Sequence, residues 1–267
     1  MAAATGDREE IVLETQDLRK HFGGVRAVNG VDLTIPYGDL RAIIGPNGAG
    51  KTTLFNLITG DLRHESGRVS FRGEEISRLS PDKVCRRGIG RTFQIASVFR
   101  RLTVIENVQT ALLSHHRRHY NLFADAARLY RDSALALLDR VGLKEQAGKP
   151  GGILSHGDQR RLELAIALAT EPRLLMLDEP TAGMAPNERH ALMALVARIA
   201  ADTGLTVLFT EHDMDVVFEN AGRIIVLNRG RVIAEGPPVA VRSNRTVQDI
   251  YLGAVDWATR GRTPFNA

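Results

Sequence analysis

The residues of this chain most capable of chemistry fall in three short strings. Gly45-Pro46-Asn47-Gly48-Ala49-Gly50-Lys51-Thr52 has the spacing G-x-x-x-x-G-K-T. Glycines there let the backbone turn its amides onto a chain of phosphates, Lys51 adds a point charge, and a helix starting at this point adds the positive end of its dipole. The hydroxyl of Thr52 suits Mg2+, and Thr53, one residue further on, is grouped with the same phosphate contacts. The second string, Leu174-Leu175-Met176-Leu177-Asp178-Glu179, is an apolar run ending in two carboxylates. Asp178 would hold Mg2+, directly or through water, while Glu179 would orient and polarise a water attacking a γ-phosphate. Thr210-Glu211-His212 closes another apolar run. Alone, His212 reads as a structural histidine. The first two strings define a phosphate-loop nucleotidase and no narrower class.

Such residues act only where strands and helices bring them to one edge. Asp39 to Ile44 is a compact apolar run entering the glycines, and Lys51 to Thr59 patterns as a helix, which is the strand, loop and helix order a phosphate loop requires. Ile11 to Glu14 and Val31 to Ile35 alternate apolar and polar residues, predicting an antiparallel edge layer. From Gly157 the pattern reads helix to Thr170, strand Leu174 to Leu177, helix Asn187 to Ala201 and strand Leu205 to Thr210. That alternation predicts a parallel sheet. Leu192, Leu195, Val196 and Ile199 share one side of the second helix. Ile224 to Leu227 and Val232 to Ala234, around Arg229-Gly230, predict a closing hairpin.

The middle of the chain differs. Thr103 to Leu113 and Ala124 to Val141 carry helical patterning, with Ala134, Leu137, Leu138 and Val141 on one face. The expected fold is an α/β phosphate-loop core, a parallel sheet flanked by helices, with an antiparallel β layer and an α-helical lobe inserted over about residues 99–157. Lys149-Pro150-Gly151-Gly152 would form a flexible return at the end of the lobe. Residues 1–10 read as a polar tail, 11–253 as the domain and 254–267 as a C-terminal tail.

Composition narrows the class. A chain of 267 residues, 43% hydrophobic and 25% charged, is ordinary for a globular protein and argues against long disorder or a fibrous repeat. The lone Cys85 cannot form an internal disulfide. Met1 to Glu10 lacks the apolar stretch of a secretory signal, so a cytoplasmic protein is expected. No run approaches the roughly 20 apolar residues that cross a bilayer, so any membrane connection would go through a partner. A formal charge of +4 with scattered arginines gives no support to nucleic-acid binding.

Further strings carry a resemblance. Leu154-Ser155-His156-Gly157-Asp158-Gln159, before an apolar-periodic helix, resembles the L-S-G-G-Q signature of ABC ATPases, although Ser155 also suits a plain helix N-cap. Arg91-Thr92-Phe93-Gln94 resembles the family's Q-loop, Pro180 to Pro186 its D-loop, and Thr210-Glu211-His212 its switch histidine. The resemblance spans Leu13 to about Gly253. It implies ATP and Mg2+ as cofactors, Gln94, Glu179 and His212 in the catalytic set, and Thr52, Gln94 and Asp178 around the metal. It also implies a second ABC ATPase subunit facing this one head to tail, so that each ATP lies between one phosphate loop and the partner's Ser155 and Gly157. Phe22 stands where the family stacks an aromatic residue on adenine, with Val28 nearby; a phenylalanine before Gly23-Gly24 could equally fill the core. His156 and Asp158 depart from the signature, and Ala185 replaces the usual D-loop aspartate. The added charge of Asp158 would matter little if it points into solvent.

Gly88 to Gln94, Leu102 to Val108, Leu154 to Ala169, Pro180 to Met184 and Ile250 to Gly253 resemble the branched-chain amino acid importer branch. That branch implies transmembrane permease subunits and an extracytoplasmic solute-binding protein, with the chain at the cytoplasmic face of the cell membrane. Its cargo is a branched-chain amino acid or a related amino acid, amide or organic acid. Gln94 and the lobe from Phe99 onward would receive a permease coupling helix. The alternatives are the ATPase of a lipopolysaccharide exporter and a soluble ABC ATPase, though the chain lacks the long coiled-coil insertion or second phosphate loop of the latter. His115-His116-Arg117-Arg118-His119 reads as a solvated basic helix end, because adjacent histidines lack the i, i+4 spacing that chelates from one helix face.

Overall fold

The computed structural model describes residues 10–92, 98–116 and 129–252. The chain opens with a hairpin of β1 (Ile11–Phe22) and β2 (Val25–Pro36), then β3 (Leu40–Ile44) runs into the glycine string and α1 (Lys51–Thr59). A second hairpin, β4 (Ser66–Phe71) and β5 (Glu74–Glu75), precedes α2 (Pro81–Arg87) and β6 (Ile89–Thr92). Helices α3 (Val104–His115), α4 (Arg131–Arg140) and α5 (His156–Leu168) follow before the chain returns to β7 (Leu174–Asp178), α6 (Pro186–Thr203) and β8 (Thr206–Thr210). The described chain closes with α7 (Met214–Asn220), the hairpin β9 (Arg223–Asn228) and β10 (Arg231–Gly236), α8 (Pro238–Ser243) and α9 (Arg245–Leu252).

Two sheets result. One is antiparallel, in the order β2-β1-β4-β5; the other runs β10-β9-β3-β8-β7-β6, parallel except for β10. The buried strands divide two cores between their faces, because side chains alternate along a strand. Ala42, Ile44, Leu175, Leu177, Val207 and Phe209 face the core shared with α3 to α7. Ile43, Leu174, Met176 and Leu208 face the opposite core, shared with α1, α2 and the antiparallel sheet. This is the expected α/β class with its β layer.

Local chemistry explains the helix starts. Thr103 and Glu106 form a capping box on α3, and the Thr103 backbone N–H holds the Glu106 carboxyl below its usual range. Ala134, Leu138 and Val141 are fully buried, as the pattern on α4 requires.

Three features differ from expectation. β1 runs twelve residues where alternation shows only its first four, because the strand beyond Thr15 carries polar side chains on both faces. β6, with one aliphatic residue in Ile89-Gly90-Arg91-Thr92, gives no strand signal yet pairs in parallel with β7. Lys149 to Gly152 is no loose return: Val104 N–H donates to Lys149 O at 2.9 Å and Gly151 N–H to Leu102 O at 2.8 Å, fastening the segment to the start of α3.

Candidate nucleotide site

Strand order assembles the site. Because β3, β8, β7 and β6 are neighbours and parallel, their C-terminal ends lie side by side, which is where open α/β sheets bind ligands. The glycine string leaves β3, Thr210 to His212 leaves β8, Asp178 to Glu179 ends β7, and Arg91 lies at the end of β6. Gln94, expected in both the catalytic and the metal set, lies outside the described residues, as do Phe93, Arg117, Arg118 and His119.

The phosphate loop is shaped by its neighbours. A Cβ on Gly50, at φ 105°, would meet Ala27 O at 2.1 Å, and one on Gly45 would meet Leu227 O at 2.3 Å. Gly230 N–H donates to Ala49 O at 2.9 Å, so the β9–β10 turn braces the loop from one side and β2 from the other. Pro46 is half-buried, Asn47 and Gly48 stand exposed at the lip, and Ala49 is packed inward. Helix α1 starts at Gly50 without a side-chain cap, so its N-cap residue leaves the amides at that end free of a side-chain bond. Lys51 Nζ donates to Gly45 O at 2.7 Å and more distantly to Pro46 O at 3.4 Å. Burial pushes the Lys51 ammonium down, while the Glu179 and then the Asp178 carboxylates push it back up. A buried cation held by carbonyls beneath an uncapped helix end fits a phosphate chain. Thr52 and Thr53 sit half-buried in the first turn.

The carboxylates are fixed by groups that sequence reasoning passed over. Asp178, 5% exposed, accepts from Thr210 Oγ1 at 2.8 Å on one oxygen and from Arg91 at 3.1 Å on the other. The same Thr210 hydroxyl accepts from Glu179 N–H at 3.0 Å, so one side chain holds the Asp178 carboxylate and the Glu179 backbone. Glu179 has φ 50°, a left-handed conformation that costs a non-glycine residue energy and turns it off the strand line. Its carboxylate lies 2.7 Å from His212 Nε2. Glu211 is buried and accepts from Thr181 N–H and Thr181 Oγ1 at 2.9 and 2.7 Å, tying the loop after Glu179 to the end of β8. Among the described residues each Asp178 oxygen accepts a single hydrogen bond and keeps a second lone pair, and with the Thr52 hydroxyl the donors are hard oxygens, the set Mg2+ prefers. The buried acids at a strand end are the signal that a short polar side chain on the adjacent strand, here Thr210, must satisfy them.

Phe22 ends β1 and is 48% exposed, with Lys20 Nζ over its ring at 5.5 Å from the centre, so it does not fill the core. Val28 corrects the expectation: it is 0% exposed and packed in the core, because β2 alternates and this residue takes the inner face.

At the tip of α5, Ser155 is exposed and its hydroxyl accepts from Asp158 N–H at 3.1 Å, a helix N-cap. Gly157 is buried, and a Cβ there would come within 3.3 Å of the Glu188 carboxylate, whose other oxygen accepts from Ala185 N–H at 3.3 Å. A Cβ on Gly183 would lie 3.3 Å from the His156 ring. The signature residues thus pack on the D-loop and the start of α6. Asp158 does not point into solvent: it accepts from Gln146 Nε2 at 3.0 Å. His115 and His116 stack edge to face at 5.0 Å, and His116 lies flat on Tyr130 at 4.9 Å.

Comparison with known proteins agrees with this geometry. The sequence profile of the ABC transporter family matches residues 28–182, and that of the branched-chain amino acid ATP-binding cassette transporter matches residues 231–256. The chain is 41% identical over 249 residues to the high-affinity branched-chain amino acid transport ATP-binding protein BraF of Pseudomonas aeruginosa, covering 91% of this chain and 98% of that one. It is 39% identical over 251 residues to its counterpart LivG of Escherichia coli, with the same coverage. Among solved structures, an ATP-binding cassette of an ABC transporter in its ADP conformation superposes with a TM-score of 0.82 at 33% identity, covering 91% and 99% of the two chains. A dimeric cassette in a post-hydrolysis state, bound to ADP and Pi, superposes at 0.72 with 28% identity, covering 85% and 98%.

Proposed function

The chain belongs to the ATP-binding subunits of ABC transporters, and on that premise we propose that its four strand ends form one half of an ATP site completed by the α5 tip of a second subunit. The protein binds and hydrolyses ATP to power import. The observation that carries the division of labour is the shared Thr210 hydroxyl, which orients the Asp178 carboxylate and holds the Glu179 backbone N–H on the adjacent position. Asp178 and Thr52 would hold Mg2+, which when bound offsets the charge of the phosphates. Lys51 and the amides of residues 45–53 grip the phosphates, and Phe22 stacks on the base. Glu179 accepts a hydrogen bond from the attacking water, and His212, already paired with it, contacts the γ-phosphate. Gln94 joins the metal and water from the segment after β6.

The same reading extends outward. The exposed Ser155 and the start of α5 meet the γ-phosphate bound to the partner subunit, an anion against a helix N-terminus. No described helix is long and apolar enough to cross a membrane. Attachment at the cytoplasmic face therefore comes through permease subunits, which dock by Gln94 and the helices from Phe99 onward. The names of the relatives support a branched-chain amino acid as the cargo, and a solute-binding protein would deliver it.

Glu179→Gln tests the shared site. It removes the proton acceptor but keeps the shape, so with MgATP the variant should elute at twice its mass, alone or with a paralogous ATPase. Nucleotide binding with no change in mass under either condition would overturn the proposal.

A further inference from the structure

We propose that Arg91 is a positioning residue for the metal site, a clamp that fixes Asp178 from the head of the segment carrying Gln94. Its guanidinium is the direct ion-pair partner of Asp178, with Nη2 to Oδ2 at 3.1 Å, and the two side chains are 11% and 1% exposed. Nη1 reaches the far end of α1, donating to Asn56 Oδ1 at 2.6 Å, Asp61 Oδ2 at 3.0 Å and Thr59 Oγ1 at 3.2 Å. The cation also lies 5.9 Å from the centre of the Phe55 ring.

The physical case starts from the carboxylate. An acid as buried as Asp178 is costly unless it is paired and hydrogen-bonded. Lys51 does not do this, because its ammonium is turned to the carbonyls of Gly45 and Pro46. Thr210 holds one Asp178 oxygen and Arg91 the other, so the plane of the carboxylate, and with it the direction of the lone pairs left for a metal, is set by these two groups. A planar guanidinium can span Asp178 and α1 at once; a lysine ammonium on a flexible stem cannot reproduce that fork. Arg91 sits on β6, one residue before Thr92, where the described stretch ends, so a single side chain links the end of this strand to Asp178.

The inference rests on Asp178 holding the metal, and the test separates the two. In the Glu179→Gln background, with ATP present, Mn2+ binding is titrated by electron paramagnetic resonance. Arg91→Gln should weaken Mn2+ about tenfold, the range found when a residue supporting a metal ligand is lost, while ATP affinity measured in EDTA holds. Arg91→Lys should recover part of the loss. A change in Mn2+ affinity below about threefold, or an equal fall in metal-free ATP affinity, overturns the clamp. Asp178→Asn is the reference: if it weakens Mn2+ and Arg91→Gln does not, only the clamp fails, whereas an unchanged Asp178→Asn removes the metal assignment itself. Should Arg91→Gln not fold, Asn56→Ala leaves the ion pair and removes its anchor; weaker Mn2+ there supports the clamp and unchanged Mn2+ overturns it.

Discussion

The phosphate loop and the tip of α5 both present backbone amides that the proposed function sets against an anion, yet the molecule treats them in opposite ways. The loop is enclosed: Gly50 lies against Ala27, Gly45 against Leu227, and Lys51 is buried beneath them. The tip is open, with Ser155 and His156 exposed and Ile153 at 69%. The proposed phosphate contacts of the loop all come from its own chain. In the proposed reading the tip carries one half of a contact that the second subunit completes.

Changes that break this contrast should rank by how much enclosure they destroy. Lys51→Ala removes the buried charge and should lower ATP turnover about a thousandfold. Circular dichroism should stay unchanged, and turnover near the parent rate would refute the role. Gly50→Ala should cost about 3 kcal/mol of stability in urea unfolding, from a positive φ and a collision with backbone. A loss below about 1 kcal/mol would mean that the cradle yields and is not rigid. Ser155→Ala at the open tip should cost only about 1 kcal/mol, the usual value of an N-cap, while weakening the MgATP-trapped dimer. A dimer of undiminished stability would make Ser155 a cap alone. Asp158→Asn should change stability by about 0.5 kcal/mol, because the amide can still accept from Gln146. A strong effect on the trapped dimer would place that charge nearer the partner's phosphates than its bond to Gln146 implies.

Legibility in sequence followed the same contrast. The glycine string, the two acids and His212 announce themselves by residue type and spacing, and α1 runs over Lys51–Thr59 as its pattern predicts. Arg91, Thr210 and Glu211 stand in strings the sequence singles out, but nothing local shows that they hold the acids and the loop after them. They lie 87, 32 and 30 residues from the groups they hold, on or just past strands whose adjacency no local pattern reports. β6 was invisible for a related reason: with Gly90 and two polar residues beside Ile89, its strand character comes from pairing with β7 and not from its own side chains.

What the sequence determined by itself was local: which segment wraps a phosphate, which strand ends in acids, and which helix begins at Ser155. These depend on a few consecutive residues and the angles they permit. Only the tertiary structure decided that Thr210 serves both acids, that Arg91 is paired with Asp178, that Val28 faces inward and that Asp158 is held by Gln146. Those outcomes depend on strand order and packing, where a hydroxyl or a guanidinium finds its partner because burial leaves a charged group no water to turn to.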